Sequence, residues 1–218
     1  MQIEPGVIGS VQPARSLPRC IAGRMSTVDR KQINMPPANP IPFVPVRRKD
    51  RAVTDETWIV ALLDRAPLGV LATVQDGQPF LNANLFVYDH EQRVLYLHTA
   101  HAGQTRGNVE AETRVCFTVS EMGRLLPAPT ALDMSVEYAS VVVFGKAAIV
   151  TAETEARYGL QLLLDKYFAH LRPGEHYRPI QPEELARTSV YRVTIESWSG
   201  KQKQAPEDFP GAFSYSPK

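Results

Sequence analysis

Residues 93–121, RVLYLHTAHAGQTRGNVEAETRVCFTVSE, limit the possible folds more than any other stretch of the chain. A strand pattern runs to His98 and Thr99 and breaks at Gly103. A short helix headed by Gln104, Thr105 and Arg106 follows, and a second strand begins at Arg114. The first turn of such a helix offers unpaired backbone N–H groups and the positive end of a dipole. A hydroxyl and a guanidinium share that turn, so the segment reads as a phosphate cradle. His98, one strand-end away, is close enough to serve the reactive end of a bound cofactor.

The flanking sequence supplies more strands and few helices. Thr54 is placed as an N-cap with Asp55 and Glu56 in the first turn, ahead of an amphipathic helix ending near Ala66. A buried strand is predicted over 68–74, then the hairpin signal Asp76-Gly77, then a strand over 79–88. That strand presents Leu81, Ala83, Leu85 and Val87 on one face. Phe80, Asn82, Asn84, Phe86 and Tyr88 form the other, and asparagines flanked by aromatics mark a face for a ligand or partner chain, or else a wet outer face. Further strands at 93–99, 114–120, 134–150 and 189–197 bring the set to about six, and an antiparallel barrel removes their edges. From Thr151 the Leu160, Leu163, Leu164, Tyr167, Phe168, Leu171 stripe reads as a core helix stopped by Pro173 and Gly174. A short helix after Pro182 leads into the last strand.

Composition narrows the function classes. The chain has 218 residues and balances 24 basic against 23 acidic side chains, so it lacks the basic field that nucleic-acid binding needs. No apolar run approaches the roughly 20 residues of a membrane-spanning helix, and no signal peptide is recognisable, which predicts a cytoplasmic protein without a membrane. Cys20 and Cys116 lie in unlike settings, which argues against a staple or metal knuckle; no metal site is expected. Nucleotide P-loop, Rossmann, hydrolase-elbow and zincin motifs are all missing. Residues 1–46 form a Pro-rich arm, suited to wrapping a neighbouring subunit or to no role. The run Arg47, Arg48, Lys49 and Arg51 either helps hold an anion or is a solvated charge run.

The order helix, GVLATV, DGQPF, NLFVYD, LYLHTA, the G-Q-T-R turn and RVCFTVSE resembles the FMN-binding split-barrel superfamily of pyridoxamine 5'-phosphate oxidase. Within it, VSEMGRLLPAPTALDMSVEYASVVVFGKA and RTSVYRVTIESWSGK are similar to the nitroimidazole-resistance (Nim) proteins. The likeness covers roughly 47–201, leaving 202–218 as a tail. It implies a six-stranded antiparallel split β-barrel, mainly β with helices, assembled as a homodimer with FMN between subunits. By position, Gly103, Gln104, Thr105 and Arg106 would hold the phosphate, while Asn82 and Asn84 line the flavin with Thr99 beside them. His98 matches the active-site histidine of Nim proteins and would donate a proton or bind substrate; taken alone, it could equally be a satisfied barrel histidine. Trp198 and Lys201 would touch the neighbour's cofactor or plug the interface. One basic residue usual in the phosphate turn is missing.

The implied activity is an FMN-dependent reductase of small electron-poor substrates such as 5-nitroimidazoles, with a nicotinamide electron donor. Two other classes stay open: a flavin-binding protein without catalysis, and a split barrel holding haem or a deazaflavin.

Overall fold

A computed structural model describes residues 45–217. The predicted arm over 1–46 and Cys20 therefore lie almost wholly outside the described residues. After a 3-10 turn at Lys49–Arg51 and the short strand β1 (Ala52–Val53), helix α1 (Glu56–Arg65) begins one residue later than the sequence suggests. Asp55, not Thr54, is its N-cap: the carboxylate accepts from the Thr57 N–H at 2.9 Å and sits on the positive end of the helix dipole. Ile59, Leu62 and Leu63 form the buried stripe.

The strands are β2 (Gly69–Gln75), β3 (Gln78–Asn84), β4 (Phe86–Asp89), β5 (Val94–Ala100), β6 (Arg114–Leu126), β7 (Ser135–Ile149) and β8 (Thr188–Lys203). They form one antiparallel sheet in the order β3-β2-β6-β7-β8-β5-β4, with β1 added to β8. The turn between β2 and β3 has Asp76 at φ 51° and Gly77 at φ 80°, the left-handed pair that an Asp-Gly hairpin supplies. The described residues thus give eight strands where about six were expected. The single strand predicted over 79–88 breaks at Leu85, because β3 pairs with β2 whereas β4 turns away to pair with β5. The extra β1 is too short for an alternation to be read.

Two hydrophobic clusters lie on opposite faces of the sheet. The larger gathers α1, Leu71, Phe86, Tyr88, Leu95, Leu97, Phe117, Val141 and Tyr191, so strands distant in the order meet around one core, as in a split barrel. The second lies outside, where helix α3 (Glu153–Tyr167) covers Val87, Val94, Tyr96 and Val190. Gly159 lets α3 approach closely: a Cβ there would stand 2.8 Å from the buried Tyr96 ring. Helix α4 (Pro182–Ala186) opens with a capping box from Gln181 and Glu184. No helix among the described residues is long and apolar enough to cross a membrane.

Lys166, near the end of α3, ties the two layers together. Its ammonium donates to the Leu63 carbonyl at 3.1 Å and lies 3.9 Å from the centre of the Phe86 ring. Desolvation holds its pKa down at about 8, against an ordinary value of 10.5, with nearby Asp64 opposing the shift. Between those values the unfolded chain binds more protons than the folded one, so the Lys166 penalty is complete below pH 8 and fades as pH rises. Urea titrations of wild type and Lys166→Met should therefore show the wild type gaining stability relative to the variant from pH 8 to 10.5. The gain should stay below about 1.4 kcal/mol per pH unit, because the half-exposed amine is partly screened. A difference that is flat in pH would mean the amine is not desolvated.

Candidate functional site: the β5–α2 loop and the cavity behind β5

Helix α2 (Gln104–Ala111) starts where β5 ends. Gly103 is its N-cap, with φ 148°, and no side chain caps the helix, so the first-turn N–H groups are left to a ligand or to solvent. Beneath that turn the polar side chains bond to one another. Asn82 donates to the Thr105 hydroxyl at 3.1 Å, and Asn84 donates to the Asn82 carbonyl at 2.8 Å. Gln104 donates to Asn108 at 2.8 Å, and the fully buried Asn108 donates to Thr73 at 2.8 Å. This network fixes α2 to β2 and β3.

Arg106 clamps the other side of the loop. Its guanidinium donates to Glu110 at 2.8 Å, to Ser189 at the start of β8 at 2.9 Å, and to His101 Nδ1 at 3.3 Å. Because Arg106 donates to His101 Nδ1, that ring carries its proton on Nε2 when neutral. Thr99 Oγ1 lies 3.0 Å from the hydroxyl of the fully buried Tyr191, on the core side of β5.

The asparagine face of β3 is not the wet outer face that was one of its two readings. The asparagine face is the covered one, with Asn84 only 7% exposed against α2, whereas Leu81 on the apolar face is 66% exposed. Asparagine is tolerated in this strand because each amide finds a partner in the loop network.

His98 sits on the outer side of β5, away from Thr99. It faces a solvent-open cavity of about 370 Å³ between β5 and α3, lined by Leu85, Leu160, Leu163, Tyr167 and Phe168, with the connector to α4 along one side. A good part of the ring is exposed, yet the surrounding protein desolvates it enough to lower its pKa below the ordinary value. His98 is accordingly a neutral imidazole near pH 7, a base or a metal ligand rather than a strong proton donor. Sequence reasoning missed this cavity: the α3 leucines carried a clear helical stripe, but nothing showed that part of it would be left unfilled.

Trp198 and Lys201 are not brought to this loop within the chain. Trp198 pairs with Val143 far along β8 and packs its ring 6.1 Å from Tyr88, under Arg93. Lys201 is farther still, opposite Ser140 and Ala52 and over the Tyr138 ring. The basic run is at that same distant end: Arg48 pairs with Asp50 at 2.6 Å and Arg51 lies by Tyr138, so neither supplies the missing charge of the loop in the same chain. Among the described residues no group of three or more His, Cys, Asp or Glu side chains could hold a metal ion.

A mainly antiparallel sheet wrapped round one core, with a few helices on it, is the arrangement of a split-barrel β protein. The family model for pyridoxamine 5'-phosphate oxidase matches residues 55–202, and the chain belongs to that family. Among solved structures it is similar to the flavocytochrome Anf3 from Azotobacter vinelandii, at 26% identity over 79% of this chain and 84% of that one, with a TM-score of 0.66. It shares the fold of an FAD and heme binding protein from Mycobacterium smegmatis, at 24% identity over 71% and 74% of the two chains, TM-score 0.62. It also shares the fold of a candidate 5-nitroimidazole antibiotic resistance protein from Bacteroides thetaiotaomicron, at 18% identity over 69% and 86%, TM-score 0.58. No curated protein sequence matches the chain.

Proposed function

We propose that this protein is an FMN-binding redox protein of the Nim type that reduces small electron-poor substrates, 5-nitroimidazoles among them, with electrons from a nicotinamide donor. The observation that carries this reading is the uncapped first turn of α2 with Arg106 clamped beside it. Backbone N–H groups of the turn suit a phosphate dianion, and one guanidinium supplies the fixed positive charge. Family membership supports a flavin there. In this reading Thr105, Asn82 and Asn84 hold the loop in shape, and the open β3 face bearing Leu81 meets a second copy, which lets Trp198 and Lys201 approach the partner's flavin. The flavin supplies the hydride or single electrons; the protein supplies position and a dry environment. His98, neutral at pH 7, orients substrate through a hydrogen bond and takes up a proton only when the substrate side is acidic.

A second reading is favoured by the His98 cavity. A neutral imidazole facing a leucine- and aromatic-lined space would suit haem, with His98 holding the iron, the apolar lining taking the macrocycle and the group supplying one-electron chemistry. The likeness to a flavocytochrome supports haem as a second redox group beside the flavin. The visible spectrum of the purified protein tests both readings. Flavin bands with FMN released on denaturation support the first, and an added haem band that His98→Ala abolishes supports the second. His98→Ala should keep its flavin while turnover of a nitroimidazole falls at least tenfold; a colourless protein that takes up no FMN would end the flavin reading.

A further inference from the structure

We infer that the His98 cavity binds an apolar molecule that carries a carboxylate, with Arg178 taking the charged end. The inference stands on the side chains of the cavity wall and needs neither the haem nor the flavin reading. The cavity is open to solvent: His98 and Arg178 of its lining are exposed, and Leu85 and Phe168 are 41% and 45% exposed. At about 370 Å³ it lies within the range of small-molecule sites, roughly 300–1,000 Å³. Leucines of α3 form most of the wall with Leu85, Phe168 and Ile180. Apolar side chains left facing water in a concave space favour an occupant with an apolar body.

The polar side chains of the wall decide what the other end of that occupant carries. Tyr167 is already engaged, its hydroxyl bonded to the Phe86 main chain and the Pro67 carbonyl. Glu184 is engaged as well: Oε1 accepts from Arg178 at 3.1 Å, and Oε2 accepts from the Gln181 N–H at 2.7 Å in the capping box of α4. What is left is mainly donors. Arg178 spends one nitrogen of its fork on Glu184, and nothing else among the described residues meets the fork. The Tyr177 hydroxyl accepts from Gln161 at 3.0 Å, which leaves its own proton to give. The neutral His98 ring adds one N–H beside one lone pair. An anion that only accepts hydrogen bonds fits this set, and a planar guanidinium matches a carboxylate best. The connector holds these donors at the cavity, through the Gly174 N–H to the Tyr177 carbonyl and Arg157 to the Ile180 carbonyl. Glu184 opposes the ligand's charge: the Gln181 N–H and then Arg178 keep its pKa below the usual carboxylate range, so it is ionised at neutral pH.

Calorimetric titration with decanoate and decanol, which share a chain and differ in the charged end, tests the assignment. Wild type should bind both, decanoate more tightly. Arg178→Gln should weaken decanoate about fivefold and change decanol less than twofold, since Arg178 is mostly exposed and solvent screens the contact. Glu184→Gln keeps the capping acceptor, frees the Arg178 fork and should tighten decanoate about twofold. Leu85→Asp, at an exposed position of the wall, should weaken both ligands, which locates the chain in this cavity. The inference is overturned if decanoate does not bind wild type, if Arg178→Gln leaves it unchanged or weakens decanol equally, or if Leu85→Asp affects neither ligand. Haemin also carries carboxylates on an apolar body, so titrating it with and without saturating decanoate separates the two sources. Haemin blocked by decanoate supports one shared site, whereas no haemin binding ends the haem reading and leaves the decanoate titrations to decide the carboxylate site.

Discussion

Arg106→Ala is expected to weaken FMN binding about 10- to 100-fold, measured by quenching of flavin fluorescence on titration with apoprotein. A hydrogen bond from a charged donor contributes about 1.5–3 kcal/mol, and Arg106 is the only Lys or Arg on the turn. The substitution also removes the tether to Ser189 and leaves Glu110 without its cation, adding an uncompensated negative charge near the anion. Arg106→Lys separates these effects. A lysine restores charge but not the fork that spans Glu110 and Ser189, so it should recover part of the affinity only. Thr105→Val should cost less, since the hydroxyl is turned toward Asn82 and its role is to hold the loop. If Arg106→Ala binds FMN within threefold of wild type, the phosphate is held elsewhere and the assignment of this turn fails.

Gly145→Ala should be a severely damaging small substitution. The β7–β8 ladder slips its register beside Gly145, between the pairs Phe144–Ser197 and Gly145–Ile195. That bulge presses the β8 backbone onto Gly145: an added Cβ would lie 2.1 Å from the Thr194 carbonyl oxygen. Backbone inside a long ladder cannot step aside as a side-chain tip can, so the strain must be relieved by breaking the ladder. Loss of about 4 kcal/mol is expected, which lowers the thermal midpoint by on the order of 10 °C. Gly77 provides the contrast, because a Cβ there meets nothing within 4 Å and only its positive φ is strained. Gly145→Ala unfolding within 2 °C of wild type in a thermal melt would show that the β7–β8 bulge can relax.

Much of the fold was legible in the chain. Asp76-Gly77 marked the first hairpin, the strand-to-helix passage at Gly103 was read where it occurs, and the helices after Thr151 and at Pro182 carried their own signals, although α3 ends at Tyr167, short of Leu171 and of the Pro173-Gly174 stop. Local chemistry dictates these features, so local sequence reveals them. The readings that failed depended on partners. Thr54 and Asp55 are both good caps, and only the path of the chain into α1 decides between them. Leu85 belongs to an unbroken apolar alternation, and only the competing pull of β2 and β5 on their respective partners splits the strand there. Asn82 and Asn84, by contrast, stand beside the start of α2 on the covered face of β3, where Asn82 donates to the Thr105 hydroxyl and Asn84 to the Asn82 carbonyl.

The amino-acid order alone determined that this chain forms hairpins, that a glycine-led helix follows β5, and that an arginine stands in its first turn, since each of these is set within a few residues of backbone. Tertiary packing decided the rest. It turned the Thr99 side of β5 toward the core, left a cavity beside the His98 imidazole on the other side, and carried Trp198 and Lys201 to the far end of β8. The physical reason is that strand alternation assigns residues to two faces, while which face is filled, and by what, depends on elements tens of residues away.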